Sequence, residues 1–264
     1  MDTAKGSKDT AVALIKQLKR KYIGYGGSIA EFEQTGPRPQ QNGDSGIFED
    51  LFWEQAERPI IKWHHYFSIY DRYFGSWRGK PVKFLEIGVA KGGSLDVWRK
   101  FFGPNATIFG IDIDPNCAQF DGKSGKVRIG SQADVDFLAS VVAEMGGVDL
   151  VLDDGSHNSH HIRTTFQTLF PMMSHGGTYM IEDLHAAYWS DFAGGYRKNS
   201  SFIEDIKTMI DDLHHWYHFH GVKVGQVENL IGGMHLYDSV AVFDRGQVTK
   251  PTWSWSSKAA EPEA

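Results

Sequence analysis

The feature that most constrains the fold is a regular alternation of short apolar runs with helical patterns, which begins near Val82. The runs are rich in valine and isoleucine, and apolar residues between them recur about once per helical turn. Strands that alternate with helices are typical of crossover units around a parallel sheet. We therefore predict a doubly wound α/β domain, with strands at 83–87, 107–111, 126–129, 148–152 and 178–181.

Segments on either side of this alternation carry other patterns. An amphipathic helix is predicted over 11–22, and a loop that could form a lid over 35–46. The aromatic-rich stretch 48–74 is predicted to be helical on both sides of Pro59, because proline interrupts the helical hydrogen-bond ladder. The stretch 222–243 is β-rich and is expected to add one or two strands.

Length and charge limit the number of domains and the kinds of partner that the protein can have. The 264 residues, 41% of them hydrophobic, can bury one sizeable core, and we divide the chain into a helical cap or lid at 1–78, a main domain at 79–248 and a tail at 249–264. A net charge of -6 argues against nucleic acid or an anionic membrane as a partner. One cysteine, no signal peptide in the first thirty residues and no long apolar run predict a cytoplasmic protein without a membrane span.

A glycine-containing loop ends the first predicted strand and opens a helix. In its sequence, LEIGVAKGGS at 85–94, three residues separate Gly88 from the next glycine, which is not the dinucleotide spacing. Lys91 precedes the later glycines instead of following them, which argues against a P-loop. The loop thus suits a cofactor without a pyrophosphate, and Glu86, Gly88 and Ser94 are candidate cofactor residues.

Two further turns are expected at the same edge of the sheet. In GIDIDP, Asp112 follows the second strand, where a carboxylate can accept both hydroxyls of a ribose. Ser131 and Gln132 follow the third strand and could contact an adenine. S-adenosylmethionine (SAM) contains both groups. The alternative is that all three turns are ordinary strand ends with glycine and capping aspartate.

Acidic residues end the fourth and fifth strands. VLDDGSH contains Asp153, Asp154 and His157, and MIEDLH contains Glu182 and Asp183. Carboxylates this close repel one another unless a cation or proton is bound, and oxygen ligands suit Mg²⁺ or Mn²⁺. The cluster therefore predicts a metal site, with helix capping and solvation as the alternative.

Two other patterns receive simpler interpretations. The run HHWYHFH at 214–220 could suggest zinc, but no thiol or carboxylate adjoins it, and a helix end is favoured. The aromatic stripe at 63–74 is interpreted as core or oligomer interface.

Together LEIGVAKGGS, GIDIDP, LDDGSH and IEDLHAAYW resemble the metal-dependent class I methyltransferases, and most closely the macrolide-sugar O-methyltransferases of the macrocin and mycinamicin type. The resemblance covers about residues 80–190. It implies a mostly parallel, seven-stranded Rossmann-like sheet, SAM as methyl donor, and a metal held by Asp154, Glu182 and Asp183. Catechol O-methyltransferase has similar spacing but a lysine in place of His157, and histidine favours the sugar-modifying branch.

The resemblance also implies roles for individual residues in catalysis and binding. His157 lies in the same turn as Asp154, and a histidine's ordinary pKa of about 6.5 suits a general base for an acceptor hydroxyl. Asp153 is assigned to the cofactor, and His185, Tyr188 and Trp189 to the pocket wall. The expected acceptor is a small molecule, a sugar of a glycosylated natural product, and relatives suggest a homo-oligomer.

Two alternatives stay open. Cephalosporin hydroxylases share the motifs, so an oxidative enzyme on the same fold is one of them. A SAM-binding module without catalysis is the other. The pair Ala186 and Ala187, where relatives often have hydroxyl residues, also leaves the substrate contacts open.

Overall fold

The structure is a computed structural model, and it describes residues 46–54, 58–218, 221, 224–225, 227–246 and 248–256. All of them belong to one compact unit, Gly43–Ala264. The helix predicted over 11–22, and the loop predicted over 35–46 except for Gly46, lie outside the described residues.

The described residues form a seven-stranded sheet. Its strands are β1 Lys83–Ile87, β2 Thr107–Asp112, β3 Lys126–Ile129, β4 Val148–Asp153, β5 Met173–Ile181, β6 Ile231–Tyr237 and β7 Val240–Arg245. Their order is β3-β2-β1-β4-β5-β7-β6. Strands β1 to β5 pair in parallel, whereas β7 is antiparallel to both β5 and β6. The predicted doubly wound, mostly parallel fold is confirmed.

Strand order reverses between β1 and β4, which pair side by side. In open α/β sheets, ligands bind outside the carboxyl ends of the strands at such a switch point. The loops after β1, β2, β4 and β5 therefore meet at one edge, and it is these loops that carry the predicted site residues.

Strand boundaries follow the predictions where the strand is apolar. β1 and β3 have the predicted limits, and β2 and β4 each extend by one aspartate. The exception is β5, which begins five residues before the predicted 178. Its first part contains the exposed residues 174–176 and the buried Gly177, which lack the apolar pattern on which the prediction rests.

Six α-helices accompany the sheet in the part of the chain that the structure describes. They are α1 Ile47–Glu54, α2 Phe67–Phe74, α3 Gly93–Phe102, α4 Val135–Met145, α5 Ser159–Leu169 and α6 Phe202–Leu213. Polar side chains cap several N-termini: Asp134, Asn158 and Ser201 each accept a backbone N–H of the first turn. Over these same residues, no helix is both long and apolar enough to cross a membrane.

The N-terminal helices share a core with the sheet. Trp98 of α3 is completely buried, and its ring lies 4.7 Å from Phe48 of α1, 5.7 Å from Phe74 of α2 and 5.0 Å from Phe84 of β1, measured between ring centroids. Aromatic contacts at these separations add to the stabilisation from burial. The core is therefore continuous across the predicted division between residues 78 and 79, and α1 and α2 form part of the domain's wall.

We expect α1 and α2 to unfold together with the sheet. Phe74→Ala should lower the free energy of unfolding by about 3 to 5 kcal/mol, because it removes a fully buried ring without refilling the space. Tyr217→Ala, at an exposed position, should change it by less than about 0.5 kcal/mol. Denaturant titrations followed by tryptophan fluorescence and far-ultraviolet circular dichroism measure both. Separate transitions, of which only one responds to Phe74→Ala, would show an independently folding cap.

Candidate active site

The predicted acidic residues gather at neighbouring strand ends. Asp154 directly follows β4, and Glu182 and Asp183 directly follow β5. Two backbone hydrogen bonds hold the loops together, from Asp154 N to Ile87 O at 3.0 Å and from Glu182 N to Asp153 O at 3.0 Å. The parallel pairing of β4 with β5 thus fixes where all three carboxylates emerge.

His157 lies against two of these carboxylates. Its Nε2 is 3.9 Å from Asp154 Oδ1 and 3.7 Å from Asp183 Oδ2. One ligand atom from each of these three residues falls within 4.8 Å of the others, which is compact enough to hold a metal ion. Two oxygens and one nitrogen from partly buried side chains form a suitable donor set for a hard divalent cation.

The backbone at this site is in an unusual conformation. His157 and Asp183 both have a φ of 55°, in the left-handed region that side chains other than glycine rarely adopt. Such residues are typically held in place by surrounding structure at functional sites. The side chains of both face the same point, between β4 and β5.

A lysine that the sequence analysis did not single out completes the cluster. Lys62 donates hydrogen bonds to Asp154 Oδ2 and, at 2.7 Å, to Glu182 Oε2, and its side chain is only 3% exposed. Burial lowers the pKa of Lys62, but the attraction of Asp154 and Glu182 outweighs burial and raises it above its usual value. The ammonium is therefore charged where it meets the acids.

Two tyrosines that follow Lys62 in the chain also donate hydrogen bonds to the acids. Tyr66 donates to Asp183 Oδ1 at 2.8 Å, and Tyr70 donates to Glu182 Oε1. Both rings are completely buried, and burial together with the neighbouring acids raises the pKa of each hydroxyl. Every predicted metal ligand thus receives a hydrogen bond from the segment 62–70.

The sequence contains a signal for these donors. Lys62, Tyr66 and Tyr70 are spaced by four residues, which is the spacing of one helical face, although Lys62 itself precedes the first helical turn in the structure. The aromatic stripe at 63–74 was interpreted as core or oligomer interface, and most of its rings are indeed in the core. Apolar packing and polar contact with a site produce the same spacing, and the spacing alone did not separate them.

The loop after β1 approaches the metal-binding loop closely. Gly88 has a φ of 94°, and a Cβ there would clash with the carbonyl oxygen of Asp154. Asp112 anchors the same loop, because its Oδ2 accepts from Val89 N and Ala90 N at 2.9 Å each. Its Oδ1 accepts from Asp114 N at 2.8 Å, and a carboxylate has lone pairs left for a further donor.

Other predicted cofactor residues are engaged inside the protein. Glu86 is buried in β1 and accepts from Ser94 Oγ at 2.7 Å and from Trp98 Nε1 at 3.0 Å. Burial raises the pKa of Glu86 to about 7, in spite of these donors and of Lys62. Glu86 and Ser94 therefore support the first turn of α3 from below.

A second buried network lies under the loop after β4. Gln132 Nε2 donates to Asp153 Oδ1 at 3.2 Å, and Gln132 Oε1 accepts from Ser156 N at 2.6 Å. Tyr179 Oη donates to Asp153 Oδ2 at 3.0 Å, and burial raises the pKa of Asp153 to about 6. Ser131 instead makes a local contact, with its Oγ accepting from Ala133 N at 3.1 Å.

The residues predicted for the pocket wall follow Asp183. The ring of His185 lies between those of Trp63 and Trp189, at centroid distances of 5.6 and 5.0 Å, and burial lowers the pKa of His185. His185 and the exposed Tyr188 line a cavity of about 320 Å³ formed with α6 and the β6–β7 turn. Trp189 is half-buried.

The histidines after α6 do not assemble a metal site in the described residues. His214 and His215 donate to the carbonyl oxygens of Ile210 and Asp212 at 2.8 Å each, as expected of a helix end. α6 itself ends at Leu213, directly before the first of these histidines.

Comparisons with known proteins agree with this geometry. Residues 85–184 match a family model described as a methyltransferase domain. A tetracenomycin 3'-O-methyltransferase of Streptomyces olivaceus, which acts on a 2-methoxyrhamnosyl compound, is 35% identical over 202 residues. Demethylmacrocin O-methyltransferase of Streptomyces fradiae is 34% identical, and mycinamicin VI 2''-O-methyltransferase of Micromonospora griseorubida is 35% identical.

These matches cover 70 to 74% of this chain but only 50 to 52% of the relatives, so the chain spans about half their length. Among solved structures, the MycE methyltransferase of the mycinamycin pathway, in complex with Mg, SAH and mycinamycin VI, superposes with a TM-score of 0.69 at 33% identity. That superposition covers 76% of this chain and 54% of MycE. The chain therefore contains a Rossmann-like class I methyltransferase domain, and it belongs to the family of the sugar O-methyltransferases of natural-product pathways.

Proposed function

We propose that this protein transfers a methyl group from SAM to a hydroxyl of a small molecule, with the help of a divalent metal ion. One observation carries the proposal. The cofactor-type loop at Gly88 packs directly on Asp154, which lies with Asp183 and His157 in one compact cluster. A methyl donor bound by the Gly88 loop and an acceptor oxygen bound beside Asp154 would therefore be neighbours, as methyl transfer requires.

The loops after β1 and β2 have the features that SAM needs. Asp112 is held by two backbone amides of the Gly88 loop and keeps acceptor capacity for a ribose hydroxyl. The next residue, Ile113, is 73% exposed and offers an apolar surface that a purine could cover. Glu86, Ser94, Gln132 and Asp153 would then act from beneath, by fixing the loops that contact the cofactor.

Asp154 and Asp183 are the residues proposed to hold the ion, each through the oxygen that faces His157. Glu182, the third predicted ligand, has one oxygen bonded to Lys62 and the other to Tyr70. A divalent ion at this point would lower the pKa of an acceptor hydroxyl. Mg²⁺ or Mn²⁺ fits the oxygen-rich donor set best.

His157 is proposed as the general base. Its Nε2 faces the two aspartates, so that an acceptor oxygen placed there would lie within reach of the imidazole. The left-handed backbone at His157 aims the ring into the site. Asp154 and Asp183 would in turn stabilise the imidazolium that forms.

The acceptor is proposed to be a sugar of a glycosylated natural product. The named relatives methylate such compounds, although this chain spans only about half their length. Two adjacent sugar hydroxyls could contact the same ion, and the rings of His185, Tyr188 and Trp189 could pack against the apolar face of the sugar. The relatives give no support to a hydroxylase or to a SAM-binding module without catalysis.

Compartment and assembly are also part of the proposal. The net charge of -6 and the single, buried Cys117 support a cytoplasmic protein whose main partner is not nucleic acid. A homo-oligomer is proposed on the basis of its relatives. Size-exclusion chromatography with light scattering would measure the assembly directly.

Methyl transfer should require the metal and its aspartates. With labelled SAM and a panel of macrolide and tetracenomycin glycosides, EDTA should abolish product formation and Mg²⁺ should restore it. Asp183→Asn should reduce turnover by about 100-fold or more, because it removes a charged ligand. Asp191→Asn, a nearby exposed control, should leave turnover unchanged. Mass spectrometry detects the product, and full activity in EDTA would refute the metal-assisted mechanism.

His157 should matter for turnover and not for cofactor binding. His157→Ala should reduce kcat by about 10² to 10⁴-fold, the range expected when a general base is lost. The dissociation constant of SAM, measured by calorimetry, should change little. His160→Ala serves as the control, because that neighbouring histidine is exposed. Parallel losses of SAM affinity and turnover in His157→Ala would instead assign the residue a structural role.

A further inference from the structure

Lys62 is buried, unlike a typical surface lysine. Its ammonium is within hydrogen-bond distance of both Asp154 and Glu182, and lies 5.9 Å from the centre of the Tyr70 ring. Moving a charged ammonium out of water carries a large cost in free energy, which only well-placed opposite charges can offset. A buried lysine is therefore stable only where neighbouring acids compensate its charge.

Carboxyl groups outnumber the ammonium of Lys62 in this cluster. Asp154 and Glu182 accept hydrogen bonds from Lys62, and Asp183 lies close to Asp154. Glu86 has its own hydrogen-bond donors, but Lys62 also attracts its carboxylate. The ammonium therefore offsets part of the negative charge of these acids.

The atoms that Lys62 contacts differ from those that face His157. Lys62 donates hydrogen bonds to Asp154 Oδ2 and Glu182 Oε2. The oxygens that face His157 are Asp154 Oδ1 and Asp183 Oδ2. The carboxylate of Asp154 therefore stands between two cation positions, one filled by the ammonium and one lined by the metal donors.

We propose that Lys62 is a positioning residue and a permanent counter-charge of the metal site, which stays paired with Asp154 and Glu182 while a divalent ion binds beside it. The proposal rests on the proposed metal-dependent function. Lys62 offsets part of the negative charge of the acids and holds Asp154 so that its second oxygen faces His157. It also ties the segment before α2 to the loops after β4 and β5, across 92 and 120 residues of sequence.

Calorimetric titration of the full chain with MgCl₂ at constant pH tests how the charge of Lys62 affects metal affinity. Lys62→Met preserves much of the side-chain volume but removes the ammonium that competes with a metal ion for the acids, and it should bind Mg²⁺ about tenfold more tightly than the wild type. Tyr70→Phe is the matched control, because it removes a hydrogen bond to Glu182 without changing the charge. Its Mg²⁺ affinity should stay within about threefold of the wild type.

The same variants without metal give a second readout. Lys62→Met should have a lower Tm than the wild type in EDTA, because the acids have lost their counter-charge, and Mg²⁺ should raise its Tm more than that of the wild type. Near-ultraviolet circular dichroism confirms that each variant is folded. If Lys62→Met does not fold, Lys62→Gln, which keeps a hydrogen-bond donor, replaces it in both measurements.

A crystal of the wild type soaked with MnCl₂ tests whether the lysine stays. We expect the ammonium to remain within hydrogen-bond distance of Glu182 beside the bound ion. Withdrawal of Lys62, Mg²⁺ affinity that is unchanged or weaker in its neutral variant, or an equal gain of affinity in Tyr70→Phe would each overturn the inference alone. A wild-type protein that binds neither ion would overturn the metal-dependent function as well, and so the two failures are distinguishable.

Discussion

Mutual repulsion among three carboxylates is the constraint on which the site depends. Parallel pairing of β4 with β5 forces Asp154, Glu182 and Asp183 to emerge at adjacent strand ends. An acid cluster in a partly buried place is unstable unless donors and cations compensate it. Here Lys62, Tyr66 and Tyr70 supply that compensation from outside the sheet's own loops. The acids are thus held ready to bind a cation without being free to move apart.

This compensation explains why the N-terminal helices are part of the domain. Lys62 and Tyr66 precede α2, and Tyr70 lies in α2 one turn before Phe74, which packs on Trp98. Apolar packing places the helix, and the placement determines where the donors reach the acids. A shift of α2 by one turn, about 5.4 Å, would break both sets of contacts. Stability and site geometry therefore depend on one helix position.

The sequence predicted what is encoded locally. Valine-rich runs and the residues that follow them depend only on neighbours a few positions away, so that the strands, Asp112 and the acid cluster could be placed. Lys62 could not, because its partners lie 92 and 120 residues later and only the tertiary fold brings them together. Gln132 and Asp153 illustrate the same limit. Their positions at strand ends were correct, but their burial was not visible in the sequence.

Backbone conformation sets the final geometry of the site. His157 and Asp183 are both left-handed, a state that costs each residue roughly 1 kcal/mol or more and that isolated loops would leave. Asn158 caps α5 directly after His157, and Tyr66 bonds to both the carboxylate and the backbone N–H of Asp183. These contacts hold the two residues in place on opposite sides of one point. The fold itself therefore supplies contacts that offset this strain and keep Asp154, His157 and Asp183 close together.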